Sequence, residues 1–215
     1  MIRCSAVAML AAPTLLLAAC SGGVSAGQPL VAATSKGAQA CVPAPNLPVD
    51  DIPAWNSPVG FALDWYYNAS ASPVEIESVS LIDSPNLVLH QALVYEAKRE
   101  QHQLILNDGW PLISTNSDPG EWARRQGVPG ALVSPDPSDA GPTTHDAYEV
   151  VLDISAKTPS GGYAIGQQVT YRQGNVQYTI RSYSGYAISP PGPQGQDGGR
   201  CSAFQKAISA AWSSP

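Results

Sequence analysis

The sequence predicts an all-β fold, an antiparallel β-sandwich closed by one short C-terminal helix. Three observations carry that expectation. Apolar residues recur with a period of two across most of 59–189, the period that sends alternate side chains to opposite faces of a strand. Gly, Pro, Asn and Asp punctuate these runs at short intervals, as turns require. Only after Cys201 does the spacing change to three and four residues, which is helical.

Taken in order, "VGFALDWYY" alternates Val59, Phe61, Leu63, Trp65 and Tyr67 with Gly60, Ala62, Asp64 and Tyr66, so the first set is expected to face a core. The turn "NASASP" leads to "VEIESVSL". There Val74 and Ile76 have one parity and Val79 and Leu81 the other, so a bulge near Glu77 and Ser78 is expected to bring both pairs to one face. A third strand runs from Leu87 to Tyr95. Asn107-Asp108-Gly109 predicts a hairpin turn, because Asp and Gly tolerate positive φ, and Pro111 restricts the second arm to an edge strand or loop. Residues 116–142 read as a long loop.

Strand character returns in "YEVVLDI", with Tyr148, Val150, Leu152 and Ile154 in register. Val169 and Tyr171 are expected to face Val176, Tyr178 and Ile180 across a turn at Gly174-Asn175, and Tyr183 to Ser189 gives a last strand. Phe204, Ala207, Ile208, Ala211 and Trp212 define the apolar stripe of a helix over 202–212. Ser202 and Gln205 suit a capping box at its start. Lys206 is the only charge on its polar face, so packing on the sandwich is expected rather than a membrane surface.

The patterns "PVEIESVSL" and "GGYAIGQQVTYRQGNVQY" resemble the immunoglobulin-like modules of exported bacterial proteins, particularly lipoproteins of high-GC Gram-positive bacteria. The resemblance covers roughly residues 55–190. It implies a sandwich and no particular activity, since fold alone does not carry function. The Cys-Trp-Cys spacing of antibody domains is absent.

The first twenty residues have the form of a signal peptide, with Arg3 before an uncharged apolar run from Ala6 to Ala19. That run falls short of the roughly 20 residues a bilayer-spanning helix needs. It ends in Leu17-Ala18-Ala19-Cys20, which resembles the lipobox of bacterial lipoproteins. The resemblance implies removal of residues 1–19 and a diacylglyceryl group on the sulfur of Cys20. Two acyl chains, at about 0.8 kcal/mol per buried methylene, make such an anchor lasting. Val24-Ser25-Ala26 would also suit an ordinary signal peptidase releasing a soluble chain from Gly27, but that cut leaves Cys20 unexplained. Residues 20–40, small and nearly uncharged, read as a flexible tether, and 41–215 as a single domain.

Cys4 leaves with the signal and Cys20 takes lipid, so Cys41 and Cys201 are expected to form one disulfide joining the start of the domain to its end. The chain carries 11 basic and 17 acidic side chains, a net charge of −6. No dense cationic stripe is present to displace counterions, so a nucleic-acid partner is not expected, and membrane contact should run through the lipid.

No GxSxG elbow, HExxH, P-loop or dinucleotide-binding glycine pattern occurs. His90, His102 and His145 are scattered; His90 reads as a structural residue within a strand. A triad from His145, Asp146 and Ser134 or Ser138 has no positioning pattern behind it. Both methionines fall in the signal, which disfavours a soft copper site, and Asp136 and Asp139 in "SPDPSDAG" match no calcium loop. No metal or cofactor is expected. What remains is a candidate binding surface of Trp110, Trp122, Arg124 and Arg125, residue types that carry interface hot spots, although Trp122 would equally serve to plug the end of the sandwich. The expectation is therefore a lipid-anchored, non-catalytic module on the extracytoplasmic face of the cell membrane, taking a protein or glycan partner. The alternative is a cell-envelope hydrolase with an unrecognised site.

Overall fold

A computed structural model describes residues 27–32, 37–44, 52–97, 105–107, 125–136, 147–191 and 198–213. Two short strands come first, β1 (Leu30–Ala32) and β2 (Gln39–Pro43). They are followed by β3 (Val59–Asn68), β4 (Val74–Ile82), β5 (Leu87–Ala97) and β6 (Ile105–Asn107). Next are β7 (Gln126–Gly127), β8 (Ala131–Val133), β9 (Ala147–Ala156) and β10 (Gly162–Ala164). The chain then forms β11 (Gly166–Gln173), β12 (Val176–Ser182), β13 (Gly185–Ser189) and the helix α1 (Gly198–Ser213).

The predicted β-sandwich with a C-terminal helix is the architecture found. One layer is a six-stranded sheet in the order β1-β3-β9-β5-β7, with β6 also paired to β3. The other layer combines a four-stranded sheet, β12-β11-β4-β8, with a three-stranded one, β10-β13-β2. The second pair of sheets is nearly continuous, because β10 runs into β11 through Ile165 and β12 into β13 through Tyr183 and Ser184. Gly166 permits the bend: a Cβ there would lie 2.1 Å from the Ser182 carbonyl oxygen. All pairings within the sheets are antiparallel except β2 with β13, which is parallel.

The core lies between the layers. Val59, Phe61, Tyr148, Val150, Leu152 and Ile154 meet Val74, Ile76, Val169, Tyr171, Tyr186 and Ile188, and Phe61 packs edge-on against Tyr186 at 5.6 Å. The expected bulge in β4 is present. Val79 pairs with Val169 and Ile76 with Tyr171, the register slipping by one at Glu77, so both apolar pairs pack toward the core. The β11–β12 hairpin turns at Gly174-Asn175, with Gly174 at φ +58° and Tyr171 stacked on Tyr178 at 5.4 Å. Asn68 builds the turn after β3, donating to the carbonyls of Ser72 at 2.8 Å and Val133 at 3.1 Å.

Four expectations need correction. Residues 116–142, expected as one long loop, contain β7 and β8, whose backbone pairs with β5 and β4. In β3 the register slips between Ala62 and Asp64, so Leu63 is extra and the later residues change face. Asp64 and Tyr66 become fully buried, while Trp65 and Tyr67, expected in the core row, are only half-buried. The tether over 20–40 is interrupted, because Leu30, Val31 and Ala32 pair with Asn68, Tyr67 and Tyr66, and Leu30 is buried in the core. Its apolar side chain has more to gain from the core than the small residues around it. The helix begins at Gly198, before the expected 202, so Ser202 lies inside it and is not its cap.

The helix packs as its stripe predicts. Ile208 is fully buried against Gly185, Phe204 sits 5.9 Å from Tyr163, and Trp212 Nε1 donates to the Ile165 carbonyl at 2.8 Å. Cys41 and Cys201 are bonded, with Cα atoms 5.7 Å apart and a sequence separation of 160. Closing so long a loop removes on the order of 5 kcal/mol of unfolded-chain entropy. The second arm of the hairpin expected at Asp108-Gly109 lies outside the described residues, as do 1–26 with Cys20.

Candidate functional site

Of the four residues expected to form a binding surface, the structure places Arg125, exposed just before β7 at the edge of the six-stranded sheet. Trp110, Trp122 and Arg124 lie outside the described residues, and so do Asp139, His102, His145, Asp146 and Ser138. Beyond Arg125, Gln126 accepts from Leu132 N at 2.9 Å and donates to Leu132 O at 3.1 Å, fastening β7 to β8 and so one sheet to the other.

The chemistry that the sequence did not reveal sits on β9. All ten of its residues are buried, because it is central in its sheet and covered on both faces. The face away from the core carries Glu149, Val151, Asp153 and Ser155. Glu149 is flanked in register by Trp65 on β3 and Tyr95 on β5. Trp65 Nε1 donates to its Oε1 at 2.9 Å and the Tyr95 hydroxyl donates to its Oε2. Burial pushes the Glu149 carboxyl up to about 7 despite these two donors, and the charge of Asp64 adds to the rise.

Asp153 lies between Gly60, which offers no side chain, and Gln91. Its Oδ1 is buried without a hydrogen-bond partner, and burial raises this carboxyl to about 6. One step further along, Ser155 Oγ lies 2.7 Å from His90 Nε2 and donates to Asn56 Oδ1 at 3.0 Å. His90 falls in the register slip of β5 and is exposed, while Ser155 is fully buried and so closed to a substrate. The trio ties β5, β9 and the 3-10 turn at Ala54–Asn56 together.

A second polar cluster lies in the core. Ser182, Ser184 and Tyr186 donate to Asp64, the Ser184 bond measuring 2.6 Å, and Gln167 Nε2 donates to the Tyr66 hydroxyl at 2.9 Å. Burial, then the Asp64 charge, drives the phenols of Tyr66 and Tyr186 well above their usual range, so both stay protonated. The cluster joins β3 to β11, β12 and β13, with three hydroxyl donors on one buried carboxylate.

Among the described residues, no three His, Cys, Asp or Glu side chains converge as a metal centre needs, and no helix is long and apolar enough to cross a membrane. No protein-family model matches this chain, and no curated protein sequence matches it either. The sequence signal for Glu149 and Asp153 was two acidic residues of the same parity in an otherwise largely apolar strand. Alternation alone assigns such positions to solvent.

Proposed function

We propose that this chain is an exported lipoprotein, anchored through Cys20 to the extracytoplasmic face of the cell membrane, whose β-sandwich is a non-catalytic binding module. The observation that carries the reading is the Cys41–Cys201 disulfide, since such bonds persist in oxidising compartments outside the cytoplasm. It agrees with the signal-like, Cys20-terminated leader. Because β1 begins at Leu30, roughly ten residues separate the anchor from the domain, a reach of at most about 35 Å. The module works close to the membrane surface.

Binding is assigned to Trp110, Trp122, Arg124 and Arg125. Two substitutions test the parts separately. Cys20→Ser should move the protein from the membrane fraction to the soluble one, and retention in the membrane would contradict the anchor. Trp122→Ala or Arg125→Ala should abolish capture of the cognate partner from envelope extracts while leaving membrane attachment intact. Undiminished capture by both would contradict this assignment.

A further inference from the structure

The outer face of the four-stranded sheet forms a regular grid. Register sets three rows across β4, β11 and β12: Ser80, Gln168 and Arg181; Ser78, Thr170 and Thr179; Glu75, Arg172 and Gln177. At ordinary strand spacings the grid measures about 10 by 14 Å. Every position in it is exposed or half-buried, in contrast to the buried outer face of β9.

Charge on this grid cancels locally. Arg172 Nη2 lies 2.9 Å from Glu75 Oε2 and its Nε 3.2 Å from Glu77 Oε1. Gln177 Nε2 donates to Glu77 Oε2 at 2.6 Å, and Arg181 Nε donates to Gln168 Oε1 at 3.0 Å. These bonds hold the long side chains along the sheet, so ordering them on binding costs less. The middle row is short hydroxyls, each both donor and acceptor.

We propose that this face binds a neutral polysaccharide strand, with Ser78, Gln168, Thr170, Thr179 and Arg181 hydrogen-bonding its hydroxyls. The choice follows from the chemistry. A polyanion would need an excess of cationic side chains, and here two Glu offset two Arg. A stable protein interface needs an apolar centre, whereas the large exposed apolar residues on the strands of this sheet, Leu132 and Val176, lie outside the three rows. Sugar hydroxyls, like Ser and Thr, donate and accept at once. Each contact is weak, and neighbouring anchored copies on one polymer supply the strength through effective concentration. The inference rests on the binding-module reading above, and adds a contact on the sheet to the one assigned to Trp110, Trp122, Arg124 and Arg125.

The test is co-sedimentation of the full, lipidated chain, displayed in many copies on neutral phosphatidylcholine vesicles, with insoluble mannan, galactan and cellulose, and with cross-linked polygalacturonate as the acidic counterpart. The wild type should be retained by at least one neutral polymer and not preferentially by the acidic one. Ser78→Lys with Thr179→Lys should weaken retention by about ten-fold or more, while Ala203→Lys on the exposed side of α1 leaves it unchanged. Thermal melting checks that each variant folds; if the double variant does not, Thr170→Ala should still weaken retention several-fold. No retention on any neutral polymer, or equal retention by the folded grid variants, overturns the proposal. Retention lost through Trp122→Ala but not through the grid also overturns it, while leaving the binding-module reading in place.

Discussion

The two outer faces of this sandwich are built from strands with the same alternating pattern, yet one is buried and acidic and the other exposed and neutral. Along β9 the residues turned away from the core include Glu149 and Asp153, both almost shielded from water. Across β4, β11 and β12 the equivalent positions carry Ser, Thr, Gln and mutually offset charges in contact with solvent. The difference teaches that burial of the outer face, rather than local sequence or place in the sheet order, decides what a polar residue in a strand experiences, since β4 and β11 are as internal to their sheet as β9 is to its own. Burial on the outer face of β9 turns a carboxylate into a titrating group near neutrality.

The sharpest way to break this contrast is one substitution made on each face. Val151→Lys puts an ammonium among buried neighbours and should cost more than about 4 kcal/mol, abolishing cooperative unfolding under mild conditions. Thr170→Lys should change the urea-unfolding free energy by less than about 1 kcal/mol. Similar costs at both sites would mean that the faces do not differ.

Next in size is the response to pH. Glu149 at about 7 and Asp153 at about 6 hold their protons more tightly folded than in the unfolded chain. Their contribution to stability is therefore complete below the unfolded carboxyl values and is lost as pH rises through 6 and 7. Glu149, the more deeply enclosed, accounts for on the order of 3 kcal/mol, and solvent screening leaves Asp153 with less. Urea midpoints should fall between pH 5 and pH 8. Glu149→Gln keeps an acceptor for Trp65 and cannot ionise, so it should match the wild type at pH 5 and exceed it at pH 8. A wild type whose stability rises over that interval would contradict the buried acidic face. The smallest effect belongs to the exposed grid, where Arg172→Ala should cost less than about 1 kcal/mol in the same assay.

How far the sequence carried depended on whether polar residues declared their side. The β4 bulge was legible because Val74 and Ile76 differ in parity from Val79 and Leu81, a contradiction only an extra residue resolves. The β3 bulge was not, because "FALDWYY" alternates plausibly without it and places Asp64 in solvent. Asp64 instead enters the core, where Ser182, Ser184 and Tyr186 from strands more than a hundred residues away receive it. No local pattern encodes those partners. The helix stripe was legible for the opposite reason, since 3.6-residue periodicity is self-contained, although Gly198 and Gly199 disguised its start. Leu30 was overlooked because three apolar residues among small polar ones make no period, and only the free edge of β3 gives them a place.

Where the protein resides is tested most directly by the intact mass of the chain extracted from its own membrane in mild detergent. The predicted result is a polypeptide beginning at Cys20, heavier by its acyl chains and lighter by the two hydrogens of the Cys41–Cys201 bond. A lipid-free chain beginning at Gly27 would contradict the anchor.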